Sequence, residues 1–179
     1  MGKFLLEGID FLGKSSLAKN IQKRLGFHQV IHCGKPIYSA VHTHAFLYQR
    51  AAFSQLFKLL NEPNYNFIFD RAHLGECVYA PLYRHYSGDY VFELEATYNM
   101  GHDDRKDTTL VLLTEDFSCS KHFIDDGQSF DISKRDIEQR MFISAFEKSI
   151  IQRKKIVCVT DKSTGGFRSF DDITNEVLS

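Results

Sequence analysis

Hydrophobic and polar residues follow one another along this chain in blocks that predict strands and helices in turn. Short apolar runs predict five strands, at about residues 4–8, 27–32, 66–70, 108–113 and 155–159. Between these runs, apolar residues recur at helical spacing, which predicts helices at about residues 14–25, 39–61, 89–100 and 133–151 and a last helix after Ser169. Strands that alternate with helices in this way predict an α/β fold, in which a five-stranded parallel sheet carries helices on both faces.

The composition is that of an ordinary globular domain. The 179 residues are 43% hydrophobic and 25% charged, so we expect a single domain over residues 1–179. The formal net charge of -1 argues against a strongly cationic protein that binds nucleic acid. Because no apolar run approaches the roughly 18 residues of a membrane span, we expect no membrane partner and a cytoplasmic location.

The cysteines carry no recognisable motif. They are widely spaced, and no two of them form a C-x-x-C pair: Cys33, Cys77, Cys119 and Cys158. This spacing argues against a zinc site or a redox motif, and it favours reduced thiols in a cytoplasmic protein.

The strongest chemical motif follows the first predicted strand. Residues 8–16 read GIDFLGKSS and fit the Walker A pattern G-x-x-x-x-G-K-[S/T], between a strand and a helix. Backbone N–H groups of such a loop and of the helix N-terminus can surround phosphate oxygens. Lys14 adds a charge that reaches the β and γ phosphates, and the hydroxyl of Ser15 is suited to Mg²⁺. We therefore expect this segment to bind ATP, through Gly8, Gly13, Lys14, Ser15 and Ser16. The alternative interpretation is an ordinary glycine turn with an exposed lysine.

A second motif ends the third predicted strand. Asp70 and Arg71 follow the apolar run at residues 67–69. A carboxylate at this place can orient Mg²⁺ directly or through water, and an arginine offers a planar fork for phosphate. The carboxyl ends of parallel strands lie at the edge where ligands bind, so we expect both residues beside the phosphate loop. The alternative interpretation is a salt bridge at a strand end.

The chain resembles thymidylate kinases in these same segments. Residues 4–16 resemble the family's opening F-E-G-x-D-x-x-G-K-[S/T]-[S/T]. Residues 70–79 resemble its D-R-Y-x-x-S-x-x-A-Y-Q motif and retain Asp70, Arg71 and Tyr79. The likeness extends over most of the chain, since residues 114–146 are similar in outline to the family's lid and the helix that follows it.

Two weaker matches support the resemblance. Residues 46–51 read FLYQRA and resemble the family's L-F-x-A-D-R motif, retaining Phe46 and Arg50. Pro36 stands where the family's R-E-P segment has its proline.

The resemblance implies a P-loop kinase with three layers and a short lid, at roughly residues 117–135. Such enzymes transfer the γ-phosphoryl group of ATP, with Mg²⁺, to a nucleoside monophosphate. The short, divergent lid resembles that of phage-encoded deoxynucleoside monophosphate kinases. The partner is then a small-molecule nucleotide, with dTMP as the first choice, and the interpretation leaves room for a homodimer.

The resemblance also implies roles for individual residues. Arg71 holds the acceptor phosphate, and Asp10 lies near the acceptor sugar or the metal. Phe46 stacks on the acceptor base in a pocket that Arg50 also lines. The other residues expected to bind the substrate are Tyr79, under the sugar, Pro36 and Glu76.

Several positions depart from the family pattern. Around the acceptor pocket, the family's Tyr, Ser and Gln are replaced by Ala72, Gly75 and Ala80, which bears on specificity for thymine. Phe11 occupies the loop position where some members carry a catalytic arginine, so a cation must come from the lid. Lys121 is the first candidate for this role, and the others are Arg135 and Arg140.

Two further residues have alternative interpretations. Glu76 can face the sugar of the acceptor, or it can pair with Arg84. His73 lies close in sequence to Arg71, so it can contact the substrate, but a packed histidine is an equal expectation.

Three other functions remain open at this point. A deoxynucleoside kinase shares the loop, although such enzymes usually carry Glu-Arg where this chain has Asp70 and Arg71. A 5'-polynucleotide kinase is disfavoured because the chain has no basic runs. A nucleotide-binding regulator without transfer activity would not consume ATP when an acceptor is present.

Overall fold

Five strands form one parallel sheet in the computed structural model, which describes residues 2–34, 42–102, 107–119 and 132–179. The strands are β1 (Lys3–Glu7), β2 (Gln29–His32), β3 (Phe67–Asp70), β4 (Thr108–Thr114) and β5 (Arg153–Cys158). Their order across the sheet is β2-β3-β1-β4-β5, and every neighbouring pair is parallel. The predicted five-stranded parallel sheet is confirmed.

Helices connect the strands. They are α1 (Lys14–Leu25), α2 (His42–Asn61), α3 (Leu74–Tyr83), α4 (Tyr90–Thr97), α5 (Arg135–Lys148) and α6 (Phe170–Leu178), with a 3₁₀ turn at Ile132–Lys134 before α5. The hydrophobic pattern does not predict α3, because Pro81 lies in its last turn. A proline there removes one backbone hydrogen bond, which the packing of α3 against α5 offsets.

The sheet forms the centre of the hydrophobic core. Every residue of β1 and β4 is buried, because strands at the centre of a parallel sheet are covered on both faces. The edge strands β2 and β5 are partly exposed. Within the described part of the chain, no helix is long and apolar enough to cross a membrane.

The register of the strands decides which residues meet at the carboxyl edge. Leu6 of β1 pairs with Asp70 of β3, and His32 of β2 pairs with the same Asp70. The Walker A loop leaves β1 directly beyond this row and leads into α1. The candidate site is therefore built at the ends of the three neighbouring strands β2, β3 and β1.

Candidate active site

The Walker A loop is a tight turn that needs glycine at two positions. Gly8 has a φ of 132°, and a Cβ placed on it would lie 2.4 Å from the carbonyl oxygen of Leu113. Gly13 has a φ of 76°, and its Cβ would lie 2.8 Å from the ring of Phe170. Any other side chain at these positions would be strained and would force β4 or α6 away. The loop is thus fixed against the sheet, with the N-terminus of α1 at its end.

Lys14 is turned into this loop. Its buried Nζ donates hydrogen bonds to the carbonyl oxygens of Gly8, at 2.8 Å, and Ile9, at 2.5 Å. Burial and the positive charge of Arg71, against the opposing effect of Asp10, together lower the pKa of Lys14 to about 8. The ammonium group is therefore held where it can reach phosphate, at a pKa that makes its charge sensitive to mildly alkaline pH.

Ser15 and Asp70 meet across the edge of the sheet. The Oγ of Ser15 donates a hydrogen bond to Oδ2 of Asp70, and Nδ1 of His32 lies 2.8 Å from the same oxygen. Oδ1 of Asp70 is buried and has no hydrogen-bond partner among the described residues. The contact with Ser15 places Asp70 beside the phosphate loop, as the sequence predicts, whereas the contact with His32 is not predicted by the sequence.

This pair fits a magnesium ion that is bound together with nucleotide. Mg²⁺ prefers oxygen ligands and takes only one or two of them from the protein, with the others from phosphate and water. Ser15 supplies a hydroxyl, and Asp70 supplies the buried oxygen that has no partner. In the residues that the structure describes, no group of three or more His, Cys, Asp or Glu side chains could hold a metal by itself.

Arg71 adopts an unusual backbone conformation beside the loop. Its φ of 69° lies in the left-handed region, which is rare for residues other than glycine and is often found at functional sites. Its backbone N–H donates to the carbonyl oxygen of Leu6 at 3.0 Å. Its guanidinium lies 2.5 Å from Oδ1 of Asp10 in the loop. The end of β3 thus places a partly exposed guanidinium next to the phosphate loop.

Arg135, at the start of α5, also reaches the loop. It donates to the backbone carbonyl of Asp10 at 3.1 Å and to Oε1 of Glu115 at 3.0 and 2.6 Å. Its guanidinium also lies 5.8 Å from the centroid of the Phe11 ring. Burial raises the pKa of Glu115, and the bond with Arg135 opposes this effect. The sequence offers one signal for Glu115: it comes directly after the apolar strand β4, much as Asp70 comes at the end of β3.

The other two candidates for the catalytic cation, Arg140 and Lys121, have no described contact with the loop. Arg140 pairs with Asp136 at 2.6 Å on the exposed surface of α5. Lys121 lies outside the described residues, as do Pro36 and most of the predicted lid at residues 117–135. The role of Lys121 stays a prediction.

Aromatic side chains gather around Phe46 on α2. Its ring makes edge-to-face contacts with Tyr90, at 4.9 Å between centroids, and with Tyr86, at 5.8 Å. The guanidinium of Arg50 lies 5.7 Å from the centroid of Tyr90 and 3.7 Å from the carboxylate of Glu93. Phe46 and Arg50 therefore share Tyr90 as a neighbour, and their place in one acceptor pocket stays a prediction.

Glu76, on α3, is hydrogen-bonded to both tyrosines of this aromatic group. Its buried carboxylate accepts hydrogen bonds from Tyr86 at 2.6 Å, Tyr90 at 3.0 Å and Arg84 at 2.8 Å. Burial and the negative charge of Glu76 raise the pKa of both tyrosines. Of the two interpretations of Glu76, the structure shows the pair with Arg84, and direct binding of a sugar stays a prediction.

Two further candidate residues are Tyr79, on α3, and His73, the residue before that helix. The Tyr79 ring contacts Phe142 of α5 edge to face at 5.8 Å, and burial raises the pKa of its hydroxyl. His73 is fully buried, with Nε2 at 2.6 Å from Glu95. Of the two interpretations of His73, the structure shows the packed histidine.

A separate cavity of about 480 Å³ lies between α3, α4 and α5, and the Walker A loop does not line it.

Comparisons with known proteins place the fold. No family model matches the chain, and no curated protein matches it. Among solved structures, the chain is similar to YorR from Bacillus subtilis in complex with phosphorylated GDP, with a TM-score of 0.64, 20% identity and coverage of 98% of this chain and 93% of that chain. For thymidylate kinase from Candida albicans, the TM-score is 0.63 at 15% identity, covering 99% and 89%. For shikimate kinase from Aquifex aeolicus, it is 0.55 at 12% identity, covering 98% and 93%. The chain therefore has the α/β fold of P-loop kinases.

Proposed function

We propose that this protein transfers the γ-phosphoryl group of ATP to a deoxynucleoside monophosphate, as a thymidylate kinase does. The observation that carries the proposal is the position of Arg71. Its guanidinium lies beside the phosphate loop, where it is bonded to Asp10. Such a site has one cation for the donor phosphate, Lys14, and one for the acceptor phosphate, Arg71.

The chemistry requires alignment and charge neutralisation rather than a covalent nucleophile. The loop N–H groups and Lys14 would hold the donor phosphates, and Lys14 would exchange its bonds with Gly8 and Ile9 for phosphate oxygens. Ser15 and Asp70 would hold Mg²⁺, which neutralises negative charge on the β and γ phosphates when bound. Asp10 would orient Arg71 towards the acceptor.

A further cation is needed near the transferred group, because Phe11 cannot supply one. Lys121 remains our first choice for this role. Arg135 is the alternative that the geometry supports, since it contacts the loop at Asp10 and lies beside Phe11. A lid residue that approaches only in the closed state would act mainly in the transition state.

The proposed acceptor pocket is centred on Phe46. A flat ring that is braced by two tyrosines can stack on a base, and Arg50 adds hydrogen-bond donors next to it. We propose dTMP as the first acceptor to test, with Tyr79 and Pro36 as further contacts. The enzyme is proposed to be cytoplasmic, and the homodimer remains open.

A deoxynucleoside kinase is the second candidate, and one observation favours it. Arg71 already has a carboxylate partner in Asp10, so its guanidinium is not left without an anion when the acceptor lacks a phosphate. This arrangement would lower the penalty for accepting a free nucleoside.

A panel of acceptors separates these candidates. Purified protein is incubated with ATP, Mg²⁺ and each deoxynucleoside or deoxynucleoside monophosphate, and ADP release is followed by a coupled assay. The proposal expects turnover with monophosphates, dTMP first. Faster turnover of free nucleosides would favour the nucleoside kinase, and no acceptor-dependent turnover with retained ATP binding would indicate a regulator.

A further inference from the structure

His32 ends the edge strand β2 and faces the candidate magnesium ligand. It pairs in register with Asp70 of β3, so the two side chains leave their strands at the same level and on the same face. The imidazole Nδ1 lies 2.8 Å from Oδ2 of Asp70. The His32 side chain is 59% exposed, whereas that of Asp70 is 5% exposed. A surface imidazole thus contacts a buried carboxylate at the centre of the site.

The two carboxylate oxygens of Asp70 differ in their hydrogen-bond partners. Oδ2 accepts from both His32 and Ser15, whereas Oδ1 is buried and has no hydrogen-bond partner among the described residues. An ionised carboxylate can only accept hydrogen bonds, so Nδ1 of His32 must carry the proton. Two donors on one oxygen fix the rotation of the carboxylate and leave the other oxygen for a ligand.

We propose that His32 is a positioning residue for the metal: its hydrogen bond to Oδ2 holds Asp70 so that Oδ1 is presented to Mg²⁺ bound with ATP. The inference rests on the proposed kinase function and adds a residue to it. In this role His32 acts through Asp70 and is not itself a metal ligand. Residues that orient a metal ligand commonly change metal affinity by about 10–100-fold when they are removed.

A purely structural role for His32 makes a different prediction. The backbone of Cys33 already bonds to the carbonyl oxygen of Asp70 at 3.1 Å, and β2 pairs with β3 along its whole length. The imidazole is therefore not needed to hold the strands together. Its removal should leave the fold intact, so a loss that is confined to metal-dependent binding would identify the positioning role.

The test measures nucleotide binding without turnover. Isothermal titration calorimetry gives the Kd of the non-hydrolysable ATP analogue AMP-PNP, with Mg²⁺ and with EDTA, for the wild type and three variants. His32→Ala removes the donor, and His32→Asn restores an N–H donor at a similar distance from the backbone. His102→Ala is the matched control, because His102 is exposed and lies before the first residue of β4, whereas the candidate site lies at the carboxyl ends of the strands.

We expect Mg²⁺ to tighten binding of AMP-PNP to the wild type. In His32→Ala this gain should fall by about tenfold while the Kd in EDTA stays unchanged. His32→Asn and His102→Ala should keep most of the gain. An undiminished gain in His32→Ala overturns the inference but leaves the kinase proposal in place, as does an equal loss with and without Mg²⁺. A wild type that binds AMP-PNP in neither condition would overturn both.

Discussion

The guanidinium of Arg71 lies 2.5 Å from the carboxylate of Asp10, and this ion pair joins the end of β3 to the phosphate loop that follows β1. The two residues are far apart in sequence, and the pairing of β1 with β3 brings them together. Arg71 reaches this position from a left-handed backbone conformation, with a φ of 69°. The positive charge of Arg71 also acts on Lys14 and helps to lower its pKa, so two cationic side chains lie at this edge of the sheet.

Replacement of Lys14 by alanine should abolish phosphoryl transfer. Loss of a charge that acts on the transferred group should lower kcat by roughly 10²-fold or more. The melting temperature should change little, since the ammonium group is buried against carbonyl oxygens at the cost of its hydration. The exposed Lys19→Ala on the same helix is the control and should behave as the wild type. Activity of Lys14→Ala above about a tenth of normal would contradict this role.

The activity should also fall at mildly alkaline pH. The pKa of Lys14 is lowered to about 8, so the free enzyme loses this positive charge as the pH rises through that value. Since kcat/KM reports ionisations of the free enzyme, its alkaline limb for ATP should lie near pH 8. A profile that stays flat to about pH 10, where an ordinary lysine titrates, would contradict this prediction.

Unfolding does not account for this loss. Because the pKa of Lys14 is lower in the folded state than its ordinary value of 10.5, the unfolded chain binds more protons at this residue between about pH 8 and pH 10.5. Its contribution to stability therefore rises with pH across that window. Thermal melts at each pH provide the control.

Arg71 should decide the preference for a phosphorylated acceptor. Two charge-assisted contacts from the planar fork of Arg71 to the acceptor phosphate, at roughly 1.5–3 kcal/mol each, predict kcat/KM about 10³-fold higher for a deoxynucleoside monophosphate than for its nucleoside. Arg71→Ala should erase most of that ratio, because it removes the cation beside the loop. Steady-state kinetics with dTMP and thymidine measure it. If Arg71→Ala leaves the ratio intact, the acceptor phosphate is bound elsewhere.

The lid cation should appear as an effect on kcat. Lys121→Ala should lower kcat much more than it raises KM for ATP, because the charge acts in the transition state. Arg135→Ala tests the alternative at the loop, and Arg140→Ala is the control, since Arg140 pairs with Asp136 on the surface. If Arg135→Ala shows the kcat effect and Lys121→Ala does not, the cation comes from α5.

Glu95 should matter for stability rather than for chemistry. It is fully buried and accepts from His73 at 2.6 Å, from Ser149 at 2.7 Å and from the backbone of Ile150 at 2.8 Å. Burial alone would raise the pKa of Glu95, but these bonds outweigh it and lower the pKa below the ordinary 4.5. Glu95→Gln should cost about 3 kcal/mol in the free energy of unfolding, because it weakens three buried hydrogen bonds to a charged acceptor and leaves a buried donor without its acceptor.

Calorimetry and kinetics together check this prediction. A loss of that size corresponds to a fall in Tm of roughly 6–12 °C for a chain of this length, with kcat nearly unchanged. Because the folded pKa of Glu95 is depressed, the stability it provides is present above about pH 4.5 and is lost as the pH falls below it. The difference in stability between wild type and Glu95→Gln should therefore shrink in acid. A gap that persists at low pH would show that the carboxylate charge is not its source.

Local patterns in the sequence determined the parts of this protein that depend on neighbouring residues. The Walker A loop is one continuous segment, with glycine at the two positions whose backbone requires it. The five apolar runs predicted the five strands of the sheet. The acid and arginine at the end of β3 could be placed beside the loop, because the carboxyl ends of parallel strands share one edge.

Only the tertiary structure decided the contacts between distant segments. Helix α3 forms despite Pro81 because it packs against α5, which no local pattern reveals. His32 meets Asp70 through the register of β2 on β3, and Arg135 reaches Asp10 because α5 starts near the loop. Strand order and register arise from packing of the whole chain, whereas a hydrophobic pattern reports only which face of each element is buried. For that reason, the sequence identified the chemical groups of the site, and the fold determined their partners.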